Sequence, residues 1–300
     1  MTHDLAPLLC PTASEPARDY DIQGGGGVTL RAHEWGPRDG PAILFVHGWS
    51  QCDMCWDAQV RSPLAERFRM VTFDCRGHGM SGKPLDAGCY TDERLWADDL
   101  AAVIEQTGLK RPVLVAWSYG GFIVADYIRV HGDAGIAGID LVGAAVILRP
   151  PSFDHIGPGF LDNAVDASAT DLRTHVAAIQ RFLRACTARP LPDDLWNAAL
   201  CWNMAVPAEI RGALIAREID GTASYSGVSV PILVSHGRED MIIQPSMAEH
   251  VLGRCRTSVA SWYDGVGHMP FIENAERFNL ELAAFVDATA KNFPGNGCGG

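Results

Sequence analysis

Hydrophobic and polar positions along this chain fall into two textures. Short, nearly continuous apolar runs at 42–47, 69–74, 113–117, 136–142, 231–236 and 258–263 read as strands buried on both faces. Between them lie stretches with apolar residues at helical spacing, at 93–106, 120–131, 246–252 and 274–290. Asp92 or Thr91 caps the first of these helices and Gly108 stops it. The stretch 54–68 also has helical spacing, with a kink expected at Pro63. Runs 18–23 and 28–35 flank four consecutive glycines and predict a hairpin. Strands alternating with helices imply an α/β fold with a mostly parallel sheet and helices on both faces. Such folds gather their chemistry at the C-terminal ends of the strands.

The first texture stops after Leu148 and returns after Ser226. Between them, Pro, Asp, Ala and Trp dominate at helical spacing. The chain is therefore divided into a first core part, 1–148, an inserted helical piece, 149–226, and a second core part, 227–300. Residues 1–15 and the glycine-rich tail 292–300 have no apolar period and are expected to be frayed. No internal repeat of fixed period is present.

Composition narrows the function classes. With 300 residues, 47% hydrophobic and 20% charged, the chain can bury a large core, which excludes global disorder. A net charge of −12 repels phosphate backbones and argues against nucleic-acid partners. The longest weakly polar run, 134–148, is interrupted by Asp140 and falls short of the roughly 18 residues of a membrane helix. The first twenty residues lack a basic start followed by a long apolar stretch, so a cytoplasmic protein without a membrane partner is expected. Nine scattered cysteines, an odd number, fit reduced thiols better than a disulfide framework.

The sharpest chemical signal is Ala116-Trp117-Ser118-Tyr119-Gly120, where a strand enters small–x–Ser–x–small and a helix follows at once. In this nucleophile elbow, small residues let the backbones approach while the turn exposes the serine. The Tyr119 backbone N–H, at the helix start, faces developing negative charge. A serine needs a base, and the base an orienting acid. Downstream, Asp240 follows a buried strand and His268 lies in a glycine-flanked loop after the last strand. Glu239 is a rival acid and Asp264 a more remote one. His47-Gly48-Trp49 follows a central strand, so the Trp49 N–H is expected to form the second half of an oxyanion hole.

These stretches, with Phe73-Asp74-Cys75-Arg76-Gly77-His78-Gly79-Met80-Ser81 and Gly267-His268-Met269-Pro270-Phe271, resemble the α/β-hydrolase superfamily over about residues 19–290. The resemblance implies an eight-stranded sheet with a helical cap inserted after the sixth strand. It also implies a structural role for the Asp74 to Ser81 loop, which keeps Arg76 and His78 out of the catalytic set. Within the superfamily the chain resembles the cap-bearing esterases and the cofactor-free haloperoxidase/perhydrolase group. Perhydrolase-like members often carry Pro after the aromatic of the oxyanion loop; here that position is Ser50. Epoxide hydrolases and haloalkane dehalogenases of this fold use an Asp nucleophile, against which Ser118 argues.

Other motifs read as structural. The four glycines are followed by Val-Thr-Leu-Arg instead of Lys-Ser/Thr and a helix, so a turn is preferred to a phosphate loop. Cys52-Asp-Met-Cys55 has no matching second pair. Asp98-Asp99 reads as a solvated helix face. Trp117, Phe153, Phe160, Phe182, Trp196 and Trp202 are candidates for an apolar pocket beside Ser118.

The sequence thus predicts a serine hydrolase that cleaves small, largely apolar carboxylic esters or lactones without metal or organic cofactor. Ser118 is the expected nucleophile, His268 the base and Asp240 the acid. Alternatives are a lactonase such as an acyl-homoserine lactonase, a perhydrolase or haloperoxidase-like enzyme, a C–C hydrolase or lyase of the same fold, and a low-turnover small-molecule receptor.

Overall fold

The computed structural model describes residues 15–150 and 152–291; the expected frayed ends, apart from residue 15, lie outside the described residues. Strands β1 (Arg18–Gln23), β2 (Thr29–Trp35), β3 (Ala42–Val46), β4 (Arg69–Phe73), β5 (Val113–Trp117) and β6 (Gly138–Val142) come first in the chain. A pair of two-residue strands, β7 (Ile147–Leu148) and β8 (Ile219–Asp220), joins antiparallel between β6 and the later part of the main sheet. Strands β9 (Ile232–Gly237) and β10 (Ser258–Tyr263) complete the main sheet. Its eight strands run in the order β1-β2-β4-β3-β5-β6-β9-β10. β2 pairs antiparallel with both β1 and β4, and every later pairing is parallel.

The fully apolar runs become the central strands because helices cover both faces; β4 and β5 are buried along their whole length. From β3 the chain goes to β4 on one side and later to β5 on the other. The strand order therefore reverses between β3 and β5, and the ends of those two strands flank a crevice of the kind where α/β sheets bind ligands. Between β6 and β9 the chain runs through helices Leu172–Ala185, Asp193–Met204 and Ala208–Ile215 and several shorter ones. No helix among the described residues is long and apolar enough to cross a membrane.

Two local expectations differ from the structure. Residues 54–68 do not form one kinked helix but three short pieces, Asp53–Trp56, Asp57–Val60 and Pro63–Glu66. Pro63 forces Ser62 into an extended conformation, with ψ 176°, and the Ser62 hydroxyl caps the next turn by accepting from the Leu64 N–H. Asp99 is not on a solvated face. It is 2% exposed, pairs with Arg76 at 2.6 and 2.7 Å, and accepts the Gly25 N–H at 2.8 Å. The remaining Arg76 donors reach the carbonyls of Cys89, Gly25 and Leu95, so this ion pair fastens the four-glycine turn to helix Glu93–Thr107.

Asp140, in the middle of β6, is fully buried; its Oδ1 accepts from the Ser235 hydroxyl at 2.9 Å and its Oδ2 has no partner among the described residues. Burial raises its pKa to about 8. The folded protein then holds a proton that the unfolded chain releases near pH 4. This contribution to stability is complete below about pH 4 and is lost as pH rises toward 8. Asp140→Asn, which cannot ionise, is expected to gain stability over wild type as pH climbs from 5 to 8. Urea unfolding of both proteins at the two pH values checks this; a pH-independent difference would refute it.

Candidate active site

Ser118 follows β5 at φ 55°, a left-handed conformation that costs a non-glycine residue about 1–2 kcal/mol. The turn holds because its backbone is fully used. The Ser118 N–H donates to Val142 O at 3.1 Å, and its carbonyl accepts from Gly121 and Ala145 at 2.9 Å each. Helix Gly120–His131 starts immediately afterwards. A Cβ at Gly120 would stand 2.6 Å from the Val46 carbonyl, which explains the small residue two places after the serine. On the other side, a Cβ at Gly48 would meet Ser118 Cβ at 2.9 Å, so the β3 loop can close on the serine only as glycine.

His268 lies beside β5. Its Nδ1 is 2.7 Å from Asp240 Oδ2, and its Nε2 is buried with no hydrogen-bond partner among the described residues. Ser118 and His268 therefore do not hydrogen-bond in this state; such contacts commonly tighten only when substrate binds. The His268 backbone is fixed from two sides, by Trp117 Nε1 donating to its carbonyl at 3.0 Å and by its own N–H donating to Cys186 O at 2.9 Å. Asp240 Oδ1 accepts from the N–H groups of Ile242 and Ile243 at 2.8 and 2.9 Å, leaving Oδ2 for the imidazole. His236 Nε2 is 3.4 Å from Asp240 Oδ2 but bonds Ile243 O at 2.9 Å, and burial lowers its pKa, which keeps it neutral beside the carboxylate. The two rival acids lie elsewhere: Glu239 accepts from Gly265 N at 3.2 Å, and Asp264 pairs with Arg238 at the surface.

The Trp49 and Tyr119 amides, at the ends of β3 and β5, donate no hydrogen bond within the described residues. Two neutral histidines shape the Trp49 loop. His47 Nε2 accepts from the Cys75 N–H at 3.0 Å and His78 Nε2 accepts from the Ser50 N–H at 3.1 Å. Each ring places its Nδ1 against a carbonyl, and burial lowers both pKa values, so both keep an acceptor at Nε2.

A cavity of about 30 Å³ adjoins Ser118. Trp49, Tyr119, Phe160 and Phe182 line it. The other four aromatic candidates are elsewhere. Trp117 lies in the core behind the elbow, against Phe271 at 4.9 Å, because it precedes Ser118 on the strand and points to the other face. Phe153 is 41% exposed. Trp196 packs under the Arg184 guanidinium at 5.0 Å, and Trp202 donates to Gln51 Oε1 at 2.8 Å. Helical spacing marks an apolar stripe but not whether it faces a cavity or a neighbouring helix. The sequence reading missed Phe122, Leu148, Ile156, Ile215, Ile242 and Ile243 as walls. The two last were accessible in principle, since the turn that delivers Asp240 delivers them as well.

Cys52, Asp53 and Asp74 bring a sulfur and carboxylate oxygens within 4.8 Å of one another. Asp74 is engaged by the N–H groups of Asp53 and Met80, and burial beside Asp74 raises the Asp53 pKa to about 7. Cys55 is not part of this group.

The model of the alpha/beta hydrolase family matches residues 43–281, from β3 into the helix Ala275–Lys291. The chain belongs to the alpha/beta hydrolase family. Its sequence is 30% identical over 272 residues to the bifunctional esterase/perhydrolase DCH of Acinetobacter calcoaceticus, covering 87% of this chain and 96% of that protein. It is 27% identical over 278 residues to a non-heme haloperoxidase of Rhodococcus erythropolis, covering 89% and 99%. The crystal structure of the esterase RhEst1 from Rhodococcus sp. ECU1013 superimposes with a TM-score of 0.86 at 29% identity, over 90% of this chain and 99% of that one. This alpha/beta hydrolase places Ser118, Asp240 and His268 in the loops that follow β5, β9 and β10, at the C-terminal edge of the sheet.

Proposed function

We propose that this alpha/beta hydrolase cleaves carboxylic esters with small apolar acyl groups through a covalent acyl-enzyme. The observation that carries the reading is the 2.7 Å contact of His268 Nδ1 with Asp240 Oδ2, which leaves Nε2 buried and without a partner among the described residues, on a histidine whose carbonyl accepts from Trp117, the residue before Ser118. The Asp240 carboxylate holds the proton on Nδ1, so Nε2 carries the lone pair. Nε2 takes the hydroxyl proton as Ser118 Oγ attacks the ester carbonyl. The Trp49 and Tyr119 N–H groups receive the negative charge on the carbonyl oxygen. The imidazolium returns its proton to the leaving alcohol, and water then repeats the steps on the acyl-enzyme. No step calls for a metal or organic cofactor.

Residues 149–226 act in this reading as a cap. The cavity beside Ser118 holds about two water molecules, so an ester enters only when part of the wall moves. Phe160, on the short helix Pro158–Leu161, and Phe182 contribute that wall and pack edge-on against Trp49 at 5.3 and 5.1 Å. Perhydrolysis, named for one relative, is favoured less: Ser50 sits at φ 62°, which a proline ring cannot reach.

p-Nitrophenyl esters of rising acyl length test the reading. Acetate and propionate are expected to exceed octanoate by about tenfold or more in kcat/KM, because each added methylene must displace an aromatic wall. Absence of turnover with every chain length would end the proposal.

A further inference from the structure

Arg211, on the insertion helix Ala208–Ile215, is completely buried. A guanidinium offers five N–H donors, and here all five are used. Nε donates to Ser50 Oγ at 2.8 Å, one terminal nitrogen to Ala167 O at 2.8 Å and to His175 Nε2, and the other to Asn203 O and Val206 O at 2.7 Å each. Among the described residues no carboxylate forms an ion pair with it. Burial lowers its pKa to about 10, which leaves it charged at neutral pH. Burying a cation on neutral acceptors alone is costly, and the only side-chain oxygen among the described residues that this cation touches belongs to the oxyanion loop.

Ser50 follows Trp49 at φ 62°, in the left-handed region. It is gripped from the core by His78, and from the insertion by Arg211 and by Asn203 O at 3.5 Å. Trp49 in turn donates through its indole N–H to the Arg211 carbonyl at 3.4 Å. Both residues after Gly48 are thus tied to Arg211.

We propose that Arg211 is a positioning residue for the oxyanion hole. Anchored on insertion carbonyls, its guanidinium holds Ser50 in a strained conformation and so aims the Trp49 N–H at the oxygen of the tetrahedral intermediate. The insertion then completes the catalytic machinery as well as covering it. The assignment rests on the serine-hydrolase reading above.

Ser50→Ala and Ser50→Gly both delete the hydroxyl, but only glycine adopts φ 62° without strain. Ser50→Ala is expected to lower kcat about tenfold or more with KM within about threefold, and Ser50→Gly to recover most of that loss. Arg211→Lys, which keeps the charge and loses the fork, should match Ser50→Ala. Affinity for an aryl boronic acid, a tetrahedral mimic, should fall with kcat. Equal kcat in Ser50→Ala and Ser50→Gly, or Arg211→Lys at the wild-type rate, would overturn the assignment. The Ser50 pair leaves the other four Arg211 bonds intact, so the test survives an Arg211 variant that fails to fold. Wild-type protein inactive on every ester would sink the hydrolase reading itself; active wild type with the overturning pattern sinks only the role of Arg211.

Discussion

Ser118→Ala is expected to lower ester turnover by about 10⁴-fold or more while leaving the protein folded. The hydroxyl makes no hydrogen bond within the described residues, so its removal strands no buried partner. The thermal midpoint should therefore stay close to wild type. Ser118→Gly should be equally inactive yet more stable than Ser118→Ala by about 1 kcal/mol, because glycine accepts φ 55° without the steric cost. In the proposed reading, the strain at Ser118 is stability given up to expose a nucleophile. Residual activity above about 1% in either variant would mean that another group attacks the carbonyl.

The second large effect is expected at the acid. Asp240→Asn keeps an oxygen for the N–H groups of Ile242 and Ile243, and so presents its NH₂ to His268 Nδ1. That donor favours an imidazole with its proton on Nε2, which cannot accept a proton from Ser118. Loss of about 10⁴-fold in kcat is expected, the size of the analogous change in a serine protease. Glu239→Gln is the control; among the described residues its carboxylate accepts only from the Gly265 N–H, and turnover should change less than about twofold. Steady-state kinetics on p-nitrophenyl acetate decide between them. A damaging Glu239→Gln beside a harmless Asp240→Asn would reverse the assignment.

Much of the fold was legible because buried parallel strands and amphipathic helices leave different patterns. β5 and β10 appear where the apolar runs placed them, and β6 begins two residues later than its run. The glycines around Ser118 were legible as close approaches between backbones, which leave no alternative residue. The aromatic wall was not. Trp117 and Trp202 are as apolar as Phe160 and Phe182, and only packing decides which ring meets the cavity and which meets another ring or a polar partner. Asp99 and Arg211 were missed for a related reason. A charged residue reads as solvated until its partners, distant in sequence, are known: Arg76 is 23 positions from Asp99, and Ser50 is 161 from Arg211. Long-range satisfaction of a buried charge leaves no periodic trace.

The most direct test of the account is to expose the protein to a fluorophosphonate, which phosphonylates only a serine made nucleophilic by a neighbouring base, and to locate the adduct by peptide mass spectrometry. One equivalent of label on Ser118 is expected, with the rate of labelling collapsing in Asp240→Asn. Label on another residue, or no label in a folded protein, would contradict it.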